Sequence, residues 1–566
     1  MTNINKDTSR LTANIDKYWH DHNIDALNSV LVDNDDFKNT RTQMLEMYGE
    51  NKEIFSNYDE NLAAHTINGT YVGKKDINNI VSWKGIPFAK QPVGDLRWRA
   101  PHKLDECNKV FEAYYFGKTS IQVEGKDEPS SLYPQGEDCL NLNIWNNTLD
   151  NSNSKPVMVW IHGGAYIQGG SCDPSYDGTN FVKNNPDVLF VTVDYRTDIL
   201  GFINLSKVDG AKDYYDTANL GLLDQIAALS WLKENVKSFG GDPDRITLFG
   251  ESAGAGSVSA LMLAPQAKGM FKRSILQSGT SSSYLRTAKK SIEHTDTIMK
   301  ISGAKNIDDL LSLSESDIRK IETILALDGV LDYTFPQCDD VVIPTDIKGA
   351  LELNTRNGFD IMIGTTKDEY RYWTHLYGKE ANMQKMQVLL ENSLKDMNDD
   401  QKNRYEQFMS KQEGDEYDNL VQFFNYRSFH APARFEADTH SNNGQNVYVY
   451  LFTEESNKPD LLSCHGFDLG FVFENISEKQ VKDISAAYKL SKIMQRMWVN
   501  FAKCGDPSIK EKEIEGINSI EWNKYDLINS SVMILNSNDC HCEYDPIKEG
   551  CDLLNDLFWS KFSKNK

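Results

Sequence analysis

Four short apolar runs restrict this chain more than any other feature. They are 157–161 in KPVMVWIHGG, 188–193 in DVLFVTVDYR, 246–249 in DRITLFGES and 361–363 in FDIMIGTTKDE. None alternates apolar with polar residues, so none fits a strand with one wet face. Unbroken, largely β-branched runs bounded by turn residues belong to strands covered on both sides. Between the second and third runs, Leu222, Ile226, Leu229 and Leu232 recur at helical spacing, and Gly240 stops the pattern. Strand, helix, strand implies an α/β fold with a large, mostly parallel central sheet flanked by helices. VYVYLF at 447–452 reads as a late strand, and TINGTYVG and INNIVSWKGIPFA as earlier short ones. Residues 1–64 are polar and mostly helical in pattern, as in DDFKNTRTQMLEMYGENKEIF. The expected organisation is a helical extension over 1–64 and one catalytic domain over 65–566.

The third run leads directly into Gly250-Glu251-Ser252-Ala253-Gly254. G-x-S-x-G at a strand-to-helix turn makes a nucleophile elbow, in which side chains at the two glycines would collide with the neighbouring strand and helix. A serine hydroxyl needs a base to take its proton, and a third group to orient that base. It also needs N–H donors for the oxyanion. His162-Gly163-Gly164, directly after the first run, is a glycine-rich strand-end loop of the oxyanion type. Gly163, Gly164 and Ala253 are the candidate donors. Six histidines follow the serine: His294, His375, His430, His440, His465 and His541. His465, in SCHGFDLGFVF, has the best context, with a glycine just before an apolar segment. Asp368 and Glu369 stand side by side after the fourth run, and on the residues alone either could be the acid.

Sixty basic against 83 acidic residues give a formal net charge of -23. That argues against a nucleic acid or an anionic membrane surface as partner. There is no run of eighteen apolar residues, and MTNINKDTSRLTANIDKYW carries no apolar signal core. Nine cysteines are scattered, and Cys540-His541-Cys542 is too tight for a metal site. The expectations are a cytoplasmic protein with reduced thiols, no metal and no cofactor.

With these residues in view, the chain resembles the type-B carboxylesterases, the cholinesterase-like branch of the α/β-hydrolases that includes bacterial para-nitrobenzyl-esterase-like members. The likeness runs from about Thr66 toward the C-terminus. It rests on GIPFAKQPVGDLRWRAP at 85–101, EDCLNLNIW at 137–145, GGDPDRITLFGESAGAGS at 240–257, FKRSILQSG at 271–279 and MWVNFAKCGDP at 497–507. It implies a serine carboxylesterase acting through an acyl-enzyme on a small-molecule ester. The implied triad is Ser252, Glu369 rather than Asp368, and His465. Gly163, Gly164 and Ala253 are implied as oxyanion donors, and Glu251 and Ser278 as neighbours of the triad. Activity is then expected to fall as His465 protonates in the ordinary imidazole range, roughly pH 6 to 7.

Departures sharpen the expectation. Ser120 stands where secreted members carry the cysteine that pairs with that of EDCL, so Cys139 is expected to be unpaired. The loop 121–137 has no tryptophan, which argues against a choline ester. Where the family often has glycine after the glutamate, this chain has Tyr370-Arg371-Tyr372-Trp373. Wall packing is the favoured reading there, and recognition of an anionic substrate group by Arg371 the sharper one. A lipase, thioesterase or amidase on the same fold stays open. So do a non-catalytic binding protein and, with little weight, a thiol enzyme using Cys464.

Overall fold

A computed structural model of the chain describes residues 9–21, 49–123, 132–148, 154–327, 334–354, 358–555 and 557. These residues hold fourteen strands: β1 Ala63–Thr66, β2 Gly69–Val72, β3 Lys74–Lys75, β4 Val81–Pro87, β5 Val110–Glu112, β6 Asn141–Asn146, β7 Lys155–Ile161, β8 Leu189–Val193, β9 Gly241–Glu251, β10 Arg273–Gln277, β11 Asp360–Thr366, β12 Val447–Phe452, β13 Ser531–Leu535 and β14 His541–Tyr544. Eleven form one sheet in the order β14-β13-β12-β11-β10-β9-β7-β8-β6-β4-β3, and β1, β2 and β5 form a small separate one. From β13 to β8 the neighbours are parallel. β14 at one edge and β6, β4 and β3 at the other pair antiparallel.

The apolar runs became β7, β8, β9 and β11, and their lack of alternation has a direct cause. Val157, Val159 and Ile161 of β7 enter one core, while Met158 and Trp160 enter another across the sheet. The helix Leu220–Asn235 packs on the first side through Leu222, Leu229 and Leu232. After it a short helical turn, Val236–Phe239, intervenes before Gly240 closes the segment at φ 87°. The helix Ile484–Cys504 covers the second side through Leu490, Met494, Met497 and Trp498. There Trp160 meets Phe249 at 4.9 Å and Phe473 at 5.0 Å, ring centre to ring centre. Such pairs contribute about 0.5–1.5 kcal/mol each beyond area burial.

Within 1–64, the helix Ser9–Asp21 docks on the helices Ala288–Ser302 and Glu315–Leu327. Leu11 and Ile15 join Ile298, Ile301, Ile318 and Ile321 in a third core. Asn14 Nδ2 donates to the carbonyl of Ile301 at 2.7 Å, satisfying an orphan helix-end group. Residues 35–48 of the stretch read as helical lie outside the described residues. Its end, 49–55, is not helical. Ile54 N–H donates to Val110 O at 2.8 Å and Glu112 N–H to Lys52 O at 2.9 Å, so this segment satisfies its backbone along β5 instead. Among the described residues no helix is long and apolar enough to cross a membrane.

Candidate active site

The site forms at the C-terminal ends of β7, β9 and β11, where the parallel strands stop and loops turn outward. β9 ends at Glu251 and the helix Ala253–Leu263 begins after a single intervening residue. Ser252 makes the turn between them at φ 56°, ψ −123°. Holding a non-glycine residue there costs about 1–3 kcal/mol, and the surroundings enforce it. Ser252 N–H donates to Gln277 O of β10 at 2.8 Å, and Ser252 O accepts from Gly256 N–H at 2.9 Å. The elbow glycines are sterically required. A Cβ at Gly250 would lie 2.7 Å from Ile161 O, and one at Gly254 only 2.0 Å from the same atom.

The loop after β7 closes on the serine. A Cβ on Gly163 would sit 2.9 Å from Glu251 O and 3.2 Å from Ser252 Cβ, so only a bare backbone fits. Gly164, Ala165 and Tyr166 follow at φ 101°, 53° and 63°. Tyr195 pins this loop by donating to His162 O at 2.8 Å and stacking on the His162 ring. Burial lowers the His162 pKa to about 4, which keeps that ring neutral. Ala253, first residue of its helix, has an N–H free of any i→i−4 acceptor by position, at the helix end that favours anions.

The loop after β11 carries the candidate acid. Glu369 is fully buried; its Oε1 accepts from Thr366 N–H at 2.9 Å, and its Oε2 lies 2.6 Å from His465 Nδ1. His465 N–H also donates to Glu369 O at 3.2 Å. Asp368 turns away: its backbone N–H donates to Ser463 O, and its carboxylate accepts from Ser463 N–H. The residues alone left Asp368 and Glu369 open; the geometry puts only Glu369 on the imidazole.

The other imidazole nitrogen is not bonded to the serine. His465 Nε2 lies 3.1 Å from Glu251 Oε1, without hydrogen-bond alignment, and Ser252 Oγ bonds Tyr284 Oη at 3.0 Å. Burial alone would lower the His465 pKa, but Glu251 and Glu369 together outweigh it and hold it at about 9. Glu251 is pushed up to about 8, chiefly by burial with Asp468 and Glu369 adding, while His465 works against them. The two groups therefore share protons, and the second carboxylate, Glu369, favours placing the charge on the ring. Ser278, read as a neighbour of the triad, sits at φ 52° with its N–H on Gly364 O at 2.9 Å. Its hydroxyl is buried with no hydrogen-bond partner among the described residues.

Several contributors escaped the sequence reading. Tyr284 is one, in SSSYLR, where no spacing marks it. Asp468 is another: burial raises it to about 6, and it accepts from Gln277 at 3.0 Å behind the imidazole. The cluster after Glu369 was visible but only half understood. Trp373 stacks on His465 at 5.4 Å, Phe429 approaches at 4.8 Å and Tyr372 at 6.0 Å. Arg371 instead bonds Asp418 at 2.7 Å, so its charge is already matched. Burial pushes the Cys464 thiol up to about 12, which leaves it without nucleophilic thiolate. All nine cysteines are free; Cys139 is buried, and Ser120 Oγ accepts from Thr197 N–H at 3.1 Å.

A strand, a strained serine elbow and a helix at the carboxyl edge of a large mixed sheet define the α/β-hydrolase fold. Within it the chain belongs to the carboxylesterase family, whose sequence profile matches residues 61–554. Among its relatives is the para-nitrobenzyl esterase of Bacillus subtilis (strain 168), 33% identical over 491 residues, covering 83% of this chain and 94% of the relative. The acetylcholinesterase of Electrophorus electricus is 27% identical over 509 residues, covering 78% and 79%. A crystal structure of a Geobacillus stearothermophilus carboxylesterase superposes with a TM-score of 0.77 at 33% identity, covering 87% of this chain and all of that one. The protein is a carboxylic-ester hydrolase.

Proposed function

We propose that Ser252, His465 and Glu369 form a catalytic triad that hydrolyses small carboxylic esters through a covalent acyl-enzyme. The observation that carries the reading is the 2.6 Å contact between buried Glu369 and His465 beside a serine held at positive φ. His465 Nε2 takes the Ser252 proton as Oγ bonds the ester carbon. The carbonyl pair moves to oxygen, where the N–H groups of Gly163, Gly164 and Ala253 meet it. The alcohol leaves with the proton from His465, and water repeats the sequence on the acyl-enzyme. Glu369 fixes the ring tautomer and balances the imidazolium.

The rings of Trp373, Tyr372 and Phe429 around His465 favour aryl and benzyl esters, and the relative named for para-nitrobenzyl esters supports that class. The free cysteines support action in a reducing, cytoplasmic setting. Residues 65–566 serve as the catalytic domain, with 1–64 as an appended segment. Hydrolysis of para-nitrophenyl acetate, butyrate and octanoate tests the reading. Wild type should turn over at least one ester and Ser252→Ala none; equal rates in both would overturn it.

A further inference from the structure

The Ser252 hydroxyl has a partner that hydrolysis itself does not call for. Tyr284 ends the short helical turn Ser281–Tyr284 after β10, and its Oη lies 3.0 Å from Ser252 Oγ. The ring is held in place: it meets Phe335 edge-on at 5.3 Å and Tyr166 at 6.0 Å. Ser281 N–H donates to Ser259 Oγ at 2.9 Å, and Ser283 Oγ donates to Ser428 O at 2.9 Å, which anchor the turn at both faces. Gly256 leaves room for the ring; a Cβ there would lie 2.8 Å from Tyr284 Cδ2. Burial pushes the phenol well above its ordinary pKa, so it stays neutral and cannot serve as a base. Across the site His465 faces Glu251, not the serine.

We propose that Tyr284 is a positioning residue that holds the Ser252 hydroxyl out of the general-base hydrogen bond in the resting enzyme, and that ester binding releases it to His465. The proposal rests on Ser252 being the nucleophile. Acylation then begins with exchange of one hydrogen bond for another. Oγ leaves Tyr284, its proton passes to His465 Nε2, and the Oγ–carbon bond forms as the carbonyl pair moves to oxygen. Atoms and charge balance within these groups, and Tyr284 neither gains nor loses a proton. A hydrogen bond between neutral groups that exists only in the ground state slows acylation by about two- to tenfold.

The test is the second-order rate at which an alkyl fluorophosphonate labels Ser252, with the acylation burst on para-nitrophenyl acetate as companion. Tyr284→Phe keeps the ring and removes the hydroxyl; Tyr284→Met removes both and tolerates repacking. Labelling and burst should quicken about two- to tenfold in both variants, with the midpoint of the acid limb unmoved. A structural role alone would slow labelling and burst together. Unchanged or slower labelling in a folded variant overturns the proposal. If wild type is not labelled, or Ser252→Ala is labelled as fast, the nucleophile assignment falls instead.

Discussion

Replacing Glu251 by glutamine removes one of the two carboxylates that hold His465 in its charged form. The lost charge lies 3.1 Å from Nε2, while Glu369 stays at 2.6 Å from Nδ1. At an effective dielectric of about 20, a unit charge at that distance is worth about 5 kcal/mol, an upper bound on the effect. Glu251 is pushed up to about 8 and so carries only part of its charge near neutrality. One neighbouring charge ordinarily moves a pKa by about 1–3 units. The sign follows from the role of the ring. In the proposed mechanism neutral imidazole is the base, so kcat/KM rises with pH through the His465 pKa and is lost below it. With that pKa at about 9, wild type should gain activity up to about pH 9. Glu251→Gln should move the limb down to about pH 6–8. At pH 7 the neutral fraction of the ring then rises, and kcat/KM rises with it. The assay is kcat/KM against pH on para-nitrophenyl butyrate, which reports the free enzyme. A limb that stays in place or moves up refutes the claim that Glu251 charges the ring.

Gly163→Ala places a methyl 2.9 Å from Glu251 O and 3.2 Å from Ser252 Cβ, so kcat should fall about 10²-fold or more and the melting temperature should fall with it. Arg196 bonds Asp224 through Nε and Nη2 with both side chains buried. Arg196→Met strands the carboxylate and should cost about 3–5 kcal/mol in denaturant unfolding. Arg371→Ala should leave the ratio of kcat/KM for an acidic and a neutral ester unchanged, because Asp418 already neutralises the guanidinium; a selective loss on the acidic ester would restore the anion-recognition reading. Cys464→Ser should retain full turnover, measured on the same esters, since the thiol is held up at about 12.

Much of the frame was legible because burial on both faces leaves a one-dimensional signature. β7 puts odd residues into one core and even residues into the other, so apolarity cannot alternate. The elbow was legible because Gly250 and Gly254 have no steric alternative. What the sequence hid depends on contacts between distant segments. Nothing in SSSYLR announces that Tyr284 reaches Ser252, and the family resemblance that implied Glu251 as a neighbour of the triad did not place it at the far nitrogen of His465. The ordinary imidazole range was therefore the only available expectation for the acid limb, and two converging carboxylates displace it upward. Residues 49–55 misled for a related reason: their polar, helix-compatible composition is overridden by backbone partners on β5.

The helix Ser9–Asp21 has a consequence for how the chain comes off the ribosome. Its partners lie far downstream, with Arg10 pairing to Asp309 across 299 residues. At about 5–20 residues per second, roughly 15 to 60 s pass between the emergence of this helix and that of its docking surface. Thirteen residues are too few to hold a helix alone in water. Leu11 and Ile15 thus wait, uncovered, while the strands up to β10 are made, and find their place only once Ile298, Ile301, Ile318 and Ile321 have followed.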